Sequence, residues 1–156
     1  MIYLISIRTA FPYIFAALFV LSACQPQQQH QIPQLPDFDD SYYAHAVEVV
    51  DEVIDQQPEN AEAYYRRAEL LLMQQKTNNA LASIRKALEI DENEPVYHAL
   101  FAEALLQKGQ NREAMRAAKE ALKKGGKSVE LYEMMAQAAL NSNYFSEALQ
   151  YSDSAL

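Results

Sequence analysis

Residues 61–156 repeat with a period of 34, and no other feature of the chain constrains the fold as much. Aromatic or imidazole side chains recur early in each period, and small or apolar residues recur in four further columns. The columns are Tyr64, His98 and Tyr132; Ala68, Ala102 and Ala136; Ala80, Ala114 and Ala148; Ala87, Ala121 and Ala155; and Leu88, Leu122 and Leu156. A fixed period of this length is typical of a stacked array, in which each unit buries its apolar face against the next.

Each period contains two stretches with apolar residues at three- and four-residue spacing, separated by a polar break, and this pattern predicts a helical hairpin. The first helices are predicted at about 61–75, 95–108 and 129–142, and the second helices at about 78–90, 111–124 and 145–156. The breaks contain residue types that tolerate the left-handed backbone of a tight turn, namely Asn78, Asn79, Gly109 and Asn143. Gly125 and Gly126 are expected to end the second helix of the middle unit.

The period, the early aromatic column, the small residues in mid-hairpin and the late Ala-Leu pair together resemble the tetratricopeptide repeat (TPR). The resemblance implies an all-α solenoid of helical hairpins, with TPR 1 at 61–94, TPR 2 at 95–128, an incomplete TPR 3 at 129–156 and a lone N-terminal helix at 41–58. It also implies that the alanines lie where paired helices cross closely. The sequence departs from the TPR pattern at single positions, which are Arg67, Glu92, Gly126 and Ala139. The alternative is a helical bundle whose alanine spacing arose by chance.

The third repeat reaches the last residue, Leu156, within its second helix. A stack with an open end exposes surface of the kind that is normally buried. We therefore expect either that the chain is a fragment of a longer array, or that this end docks on a partner or on a second copy of the chain.

The N-terminal 23 residues have the features of a secretory signal peptide. Arg8 precedes an apolar run over residues 10–21, and twelve residues would rise only about 18 Å as a helix, which is too short for a permanent membrane span. The run ends in Leu21-Ser22-Ala23-Cys24, which resembles the lipobox of bacterial lipoproteins. The resemblance implies that Cys24 is lipidated and becomes the mature N-terminus. The alternative is an ordinary signal peptide with an incidental cysteine.

Residues 24–40 are predicted to form a lipidated cysteine followed by a disordered tether. The stretch from 25 to 36 is rich in glutamine, has no charge and contains three prolines, so it cannot bury enough apolar surface to fold. Gln25 after the cysteine resembles the pattern of lipoproteins exported to the outer membrane. The expected localisation is therefore a lipid anchor in the bacterial cell envelope, in the outer membrane and facing the periplasm, with membrane contact through the lipid on Cys24.

In TPR proteins, peptides usually bind in a concave groove lined by the first helix of each repeat. By register, the resemblance assigns this groove to Tyr65, Glu69, Leu72, Met73, Ala99, Glu103, Leu106, Glu133, Gln137 and Leu140. The TPR subgroup that clamps the C-terminal carboxylates of chaperones uses Lys, Arg and Asn at these positions, so that ligand is not expected. An acidic groove with apolar contacts favours a basic or amphipathic protein segment. The alternative is that these glutamates only form a solvated helix face.

The sequence argues against nucleic-acid binding and against catalysis. With 13 Lys and Arg against 21 Asp and Glu, the net charge is −8, the wrong sign for a phosphate backbone. His30, His45 and His98 show no metal-ligand spacing, and there is no glycine-rich phosphate loop. We therefore expect no catalytic residues, no metal site and no cofactor.

The predicted function is that of a membrane-anchored TPR lipoprotein, a protein-interaction scaffold or adaptor in a bacterial envelope assembly. Two alternatives remain open: the N-terminal binding segment of a longer TPR signalling or enzyme protein, and a structural tether in the periplasm. Self-association is a further expectation for the open end of the stack.

Overall fold

A computed structural model describes residues 40–156, which form seven α-helices and no β-strand. The helices are α1 (Asp40–Gln56), α2 (Ala61–Met73), α3 (Thr77–Ile90), α4 (Pro95–Gln107), α5 (Asn111–Lys123), α6 (Ser128–Asn141) and α7 (Phe145–Ala155). The predictions on residues 1–39, including the signal peptide, the lipobox with Cys24 and nearly all of the tether, lie outside the described residues. None of the described helices is both long and apolar enough to cross a membrane.

The predicted all-α TPR architecture, with about three hairpins after a lone helix, is confirmed for these residues. Each predicted helix boundary falls within two residues of the observed one. Local signals explain two of the starts. The Asn60 side chain accepts a hydrogen bond from the Ala63 backbone N–H at 3.1 Å and so caps α2. Pro95 occupies the first position of α4, where its missing N–H costs no hydrogen bond.

The turn inside the first hairpin differs from the prediction. Asn78 and Asn79 lie in the first turn of α3, and the left-handed residue is Gln75, with a φ of 58°. Gln75, Gly109 and Asn143 stand 34 residues apart, and all three have positive φ. The prediction failed at Gln75 because glutamine carries no turn preference of its own, so here the hairpin geometry imposes the conformation.

A glycine pair ends α5, as the sequence predicted. Gly125 has a φ of 89°, and the Gly126 backbone N–H donates to the Ala121 carbonyl oxygen at 2.8 Å. A Cβ atom on Gly126 would lie 2.9 Å from that same oxygen, closer than real Cβ contacts allow. Gly126 therefore stands where TPR sequences usually have a proline because the chain passes too close to α5 for any side chain.

The helices pack in sequential order, each against the next along the chain. In addition, α2 contacts α4 and α4 contacts α6, whereas among the described helices α1, α3, α5 and α7 make no comparable contacts with one another. The first helices of successive repeats are thus closer together than the second helices. The layer made by α2, α4 and α6 is therefore the inner, concave layer of a curved stack.

The recurring alanines lie where the helices approach most closely. The columns in the middle of the first helix and at the start of the second helix are all buried, with exposures between 0% and 7%. These residues are Ala68, Ala102, Ala136, Ala80, Ala114 and Ala148. Larger apolar side chains such as Leu81, Ile84 and Leu105 fill the space between the crossing points. Interiors pack this densely only when side-chain volumes match the gaps, which is why small residues recur at a constant interval.

Candidate functional site

The predicted groove residues are distributed over α2, α4 and α6, the helices of the concave layer. Their side chains differ in accessibility. Met73, Glu133, Gln137 and Leu140 are exposed, while Tyr65, Glu69, Ala99, Glu103 and Leu106 are half-buried. All nine therefore present some surface that a ligand could contact.

Leu72 does not belong to this surface. Its side chain is only 7% exposed and forms part of the hydrophobic core. It lies near the end of α2, where its backbone carbonyl oxygen accepts a hydrogen bond from the Gln75 N–H at 2.9 Å. The assignment of Leu72 to the groove is therefore corrected, because a ligand could reach it only if the hairpin opened.

Two tyrosines join the first two repeats on the concave side. The rings of Tyr65 in α2 and Tyr97 in α4 stack with their centroids 5.2 Å apart and their planes 29° apart. The Tyr65 hydroxyl donates a hydrogen bond to Glu69 Oε1 at 2.6 Å, and the Tyr97 hydroxyl donates to Glu62 Oε2 at 3.3 Å. Each ring is thus fixed at both its face and its hydroxyl, so this part of the groove has a defined shape.

Arg66 neutralises much of the negative charge at this end of the groove. Its Nε atom donates to Glu62 Oε1 at 2.7 Å, and its Nη1 atom donates to Glu69 Oε2 at 2.9 Å. The guanidinium group also lies 5.2 Å from the centre of the Tyr65 ring. Glu62 and Glu69 are therefore less available to a basic ligand than the sequence alone indicated.

Burial and the neighbouring carboxylates keep both tyrosine hydroxyls protonated. Burial, with Glu62 as the next cause, raises the pKa of Tyr97 to about 12. Burial and the hydrogen bond to Glu69 raise the pKa of Tyr65 as well. Both hydroxyls therefore keep their protons, and can donate hydrogen bonds, at a more alkaline pH than an exposed tyrosine.

The negative charge without a basic partner lies farther along the groove, on α4 and α6. Glu103 accepts a hydrogen bond from the neutral side chain of Gln107 at 3.4 Å. Within residues 40–156, neither Glu103 nor Glu133 has a basic group within 4.0 Å. These two carboxylates are the ones that a positively charged ligand would meet.

A small recess opens between the first halves of α4 and α6. It has a volume of about 150 Å³, and Val96, Ala99, Leu131 and Met134 line it. Val96 is 45% exposed at its edge. The recess is smaller than the 300–1,000 Å³ of ordinary small-molecule sites, but an apolar side chain of a bound protein could enter it.

Sequence reasoning missed Tyr97, which is 5% exposed and supports the groove from within the core through its stack with Tyr65. In the second repeat the aromatic column is occupied by His98, so the repeat pattern points to His98 and not to its neighbour Tyr97. His98 is instead half-buried, and its Nε2 atom lies 2.8 Å from the Glu92 carbonyl oxygen. The one available signal was that Tyr97 stands in the buried column of Ala63 and Leu131, a position where a tyrosine must find a hydrogen-bond partner.

Several solved structures share this fold. A crystal structure of MamA superposes with a TM-score of 0.69 at 17% sequence identity, over 73% of this chain and 67% of MamA. A MamA fragment from Desulfovibrio magneticus RS-1 gives a TM-score of 0.66 at 18% identity, over 71% of this chain and 63% of that one. The crystal structure of YrrB, described as a TPR protein with an unusual peptide-binding site, gives 0.61 at 26% identity, over 67% of this chain and 54% of YrrB.

The chain thus spans about two thirds of the length of these solved proteins, or less. No curated protein sequence matches it. The sequence profile of the family described as anaphase-promoting complex, cyclosome, subunit 3 matches residues 39–121, which is more than half of the chain. The chain therefore belongs to this family of TPR-type repeats.

Proposed function

We propose that this chain is a membrane-anchored lipoprotein that acts as a protein-interaction scaffold or adaptor in a bacterial envelope assembly. Its concave face binds a basic or amphipathic segment of a protein partner. The observation that carries the binding part of the proposal is the composition of that face. It combines exposed apolar side chains with two carboxylates that have no basic neighbour in the described residues, Glu103 and Glu133.

The apolar part of the face lies beside the charged part. Met73 is 62% exposed and Leu140 is 47% exposed, and both are at the C-terminal ends of their helices. An amphipathic segment can bury its apolar side chains on such positions while its lysines or arginines meet the carboxylates. YrrB, a TPR protein of the same fold, is described as having a peptide-binding site, which supports peptide binding as a use of this fold.

The anchoring part of the proposal rests on the sequence alone. A lipidated Cys24 would hold the repeats at the outer membrane, on the periplasmic side, through the tether over residues 25–36. Several acyl chains on one cysteine anchor a protein far more firmly than one, since each buried methylene contributes about 0.8 kcal/mol. A palmitate-labelling experiment in cells tests this part. Wild type should incorporate label and Cys24→Ala should not, and an unlabelled wild type would contradict the proposal.

Site-specific crosslinking of the full chain in cells tests the binding face. A photoreactive residue at the exposed concave position Gln137 should capture partner proteins, whereas the same residue at Ala82, exposed on α3, serves as the control for another surface. Reversing both carboxylates, Glu103→Lys with Glu133→Lys, should remove the Gln137 products. Their persistence in a folded double variant would contradict the groove assignment.

These variants are preferable to a change at Glu69. The Glu69 carboxylate holds Tyr65 and Arg66 in place, so its replacement would disturb the groove structure along with its charge. The Glu103 carboxylate accepts a hydrogen bond from the Gln107 side chain, and Glu133 is exposed. A loss of crosslinking at these two positions therefore reports on charge.

A further inference from the structure

The outer, convex side of the stack contains three clefts. Since α1, α3, α5 and α7 make no close contacts with one another within residues 40–156, each neighbouring pair leaves an opening above the inner helix that lies between them. The 34-residue period places equivalent residues in each cleft. At the floor stand Arg67, Phe101 and Met135; on the following outer helix stand Ser83, Ala117 and Tyr151; and on the preceding outer helix stand Asp51, Arg85 and Lys119.

The chain closes the first cleft with a polar contact. Arg67 Nε lies 2.7 Å from Asp51 Oδ1 of α1 as an ion pair, and Arg67 Nη1 donates to Ser83 Oγ of α3 at 3.4 Å. The arginine thus links both walls from the floor. These two contacts explain why an arginine stands at a position where the TPR pattern has an apolar residue.

The chain fills the third cleft with an aromatic ring. Tyr151 of α7 is half-buried and packs against the hydrophobic core, to which Met135 belongs with an exposure of 1%. The Lys119 ammonium group of α5 lies 5.8 Å from the centre of the Tyr151 ring, close enough for a cation–π interaction. A ring from one wall therefore packs on the core, and a cation from the opposite wall covers the ring.

The middle cleft has equivalent walls, but its aromatic ring, Phe101, stands on the floor and its wall position is held by a small residue. Ala117 stands where the third repeat has Tyr151, and it leaves a cavity of about 460 Å³ between α3 and α5. Phe101 and Leu105 form its floor, with Leu88 beside them. The Arg85 guanidinium group lies 5.7 Å from the centre of the Phe101 ring, so the cation of this cleft covers the ring on the floor. The space next to Ala117, where the third cleft holds Tyr151, is open.

We propose that this middle cleft binds an aromatic side chain, tyrosine or phenylalanine, presented by a protein partner. The incoming ring would occupy the space next to Ala117 that corresponds to the position of Tyr151 in the next cleft, against Leu105 and the exposed side of the Phe101–Arg85 pair. The volume lies within the range of built ligand sites and accommodates a ring with its flanking backbone. This surface is on the opposite side of the stack from the concave groove, so the proposal does not depend on the function proposed above.

The lining of the cavity carries two arginines and two glutamates, Arg85, Arg116, Glu113 and Glu120, so the proposal concerns the ring and not a charge beside it. Arg85 and Arg116 both line the cavity, and neither has a carboxylate within 4.0 Å in the described part of the chain.

Amide NMR spectra of the full chain, titrated with N-acetyl-L-tyrosinamide, test this proposal directly. The probe should shift the signals of Arg85, Phe101 and Ala117, with N-acetyl-L-leucinamide binding about tenfold more weakly because it lacks a ring. Equal binding of the two probes, or shifts confined to the concave residues, would overturn the proposal.

Two substitutions that exchange the cleft residues provide the matched variants. Ala117→Tyr should fill the middle cleft, remove the probe-induced shifts and raise the melting temperature. Tyr151→Ala should open the third cleft and create new shifts at Lys119 and Met135. Because the second variant gains a site, the proposal remains testable even if the first does not fold.

Self-association is examined in the same samples by sedimentation at several protein concentrations. A monomer whose probe binding follows the two substitutions supports a separate protein partner. A dimer that Ala117→Tyr dissociates would show that a second copy of the chain occupies the cleft, and would overturn the proposal. Unchanged probe binding in a folded Ala117→Tyr variant would also overturn it.

Discussion

Tyr65 and Tyr97 stack across two neighbouring repeats although they do not occupy equivalent positions in the period. Tyr65 shares its column with Ala99, and Tyr97 shares its column with Leu131. The next pair of repeats therefore has Ala99 and Leu131 at the corresponding place, and there the small recess opens instead. The concave face thus has one rigid aromatic end and one open apolar end, so a bound segment would have a preferred direction.

A double-mutant cycle on Tyr65→Leu and Tyr97→Leu should show that the two rings stabilise each other. Stacked aromatic pairs contribute about 0.5–1.5 kcal/mol beyond the area that they bury, and we expect a coupling free energy in this range. Chemical denaturation of the four proteins measures it.

The control cycle pairs Tyr65→Leu with Tyr132→Leu, since Tyr132 lies in another repeat and no contact joins it to Tyr65. Those two changes should add to within about 0.5 kcal/mol. Equal coupling in both cycles would mean that the stack is not a specific interaction.

Alkaline pH should destabilise the fold through Tyr97. Its pKa is raised by burial to about 12 in the folded chain, against 10.0 for the unperturbed side chain, so the folded state holds the proton more tightly than the unfolded state does. The stabilisation is fully present below pH 10 and is lost as the pH rises towards 12. Denaturation midpoints measured across this range should fall, and the Tyr97→Phe variant should show a shallower decline. An equally steep decline in that variant would assign the effect to other groups.

The regular part of the fold could be predicted from the sequence because one steric requirement recurs. A side chain larger than that of Ala68, Ala102 or Ala136 would separate the crossing helices, so the spacing of alanines reveals the spacing of hairpins. Gln75 and Tyr97 could not be predicted in the same way. The first takes its backbone conformation from the hairpin, and the second takes its environment from another repeat.

The groove could be placed by register, but its charge could not. Glu62, Arg66 and Glu69 lie on one face of α2, and the sequence indicates only that they are neighbours. In the structure Arg66 binds both carboxylates, and each carboxylate also accepts a hydrogen bond from a stacked tyrosine. A count of glutamates therefore overestimated the negative charge at the α2 end of the groove.

Gln75→Gly should stabilise the first hairpin. Gln75 has a φ of 58°, a conformation that costs a residue with a side chain about 1–2 kcal/mol. Glycine removes this cost, but its greater freedom in the unfolded chain cancels part of the gain. The net increase in the free energy of unfolding should be about 0.5–1 kcal/mol. Gln74→Gly is the matched control, because Gln74 has a φ of −84° and glycine there should destabilise. Thermal melts that rank the two variants in the opposite order would contradict this reading of the turn.

Ala102→Leu should destabilise the stack by overpacking. Ala102 is fully buried in α4, the central helix of the concave layer, which contacts α2 on one side and α6 on the other. Additional methylene groups at such a position force shifts in the backbone or in neighbouring rotamers, at a cost of about 1–3 kcal/mol. The free energy of unfolding from chemical denaturation measures this cost.

Ala82→Leu is the control for the added volume, because Ala82 is exposed on α3 and a surface substitution there should change stability by no more than about 0.5 kcal/mol. If the two variants unfolded at the same denaturant concentration as wild type, the close approach of helices at Ala102 could not be what sets the 34-residue period. If only Ala102→Leu unfolded earlier, the recurring alanines would be identified as the residues that allow successive hairpins to nest. The curvature of the concave face, and with it the spacing of Glu103 and Glu133, would then depend on them.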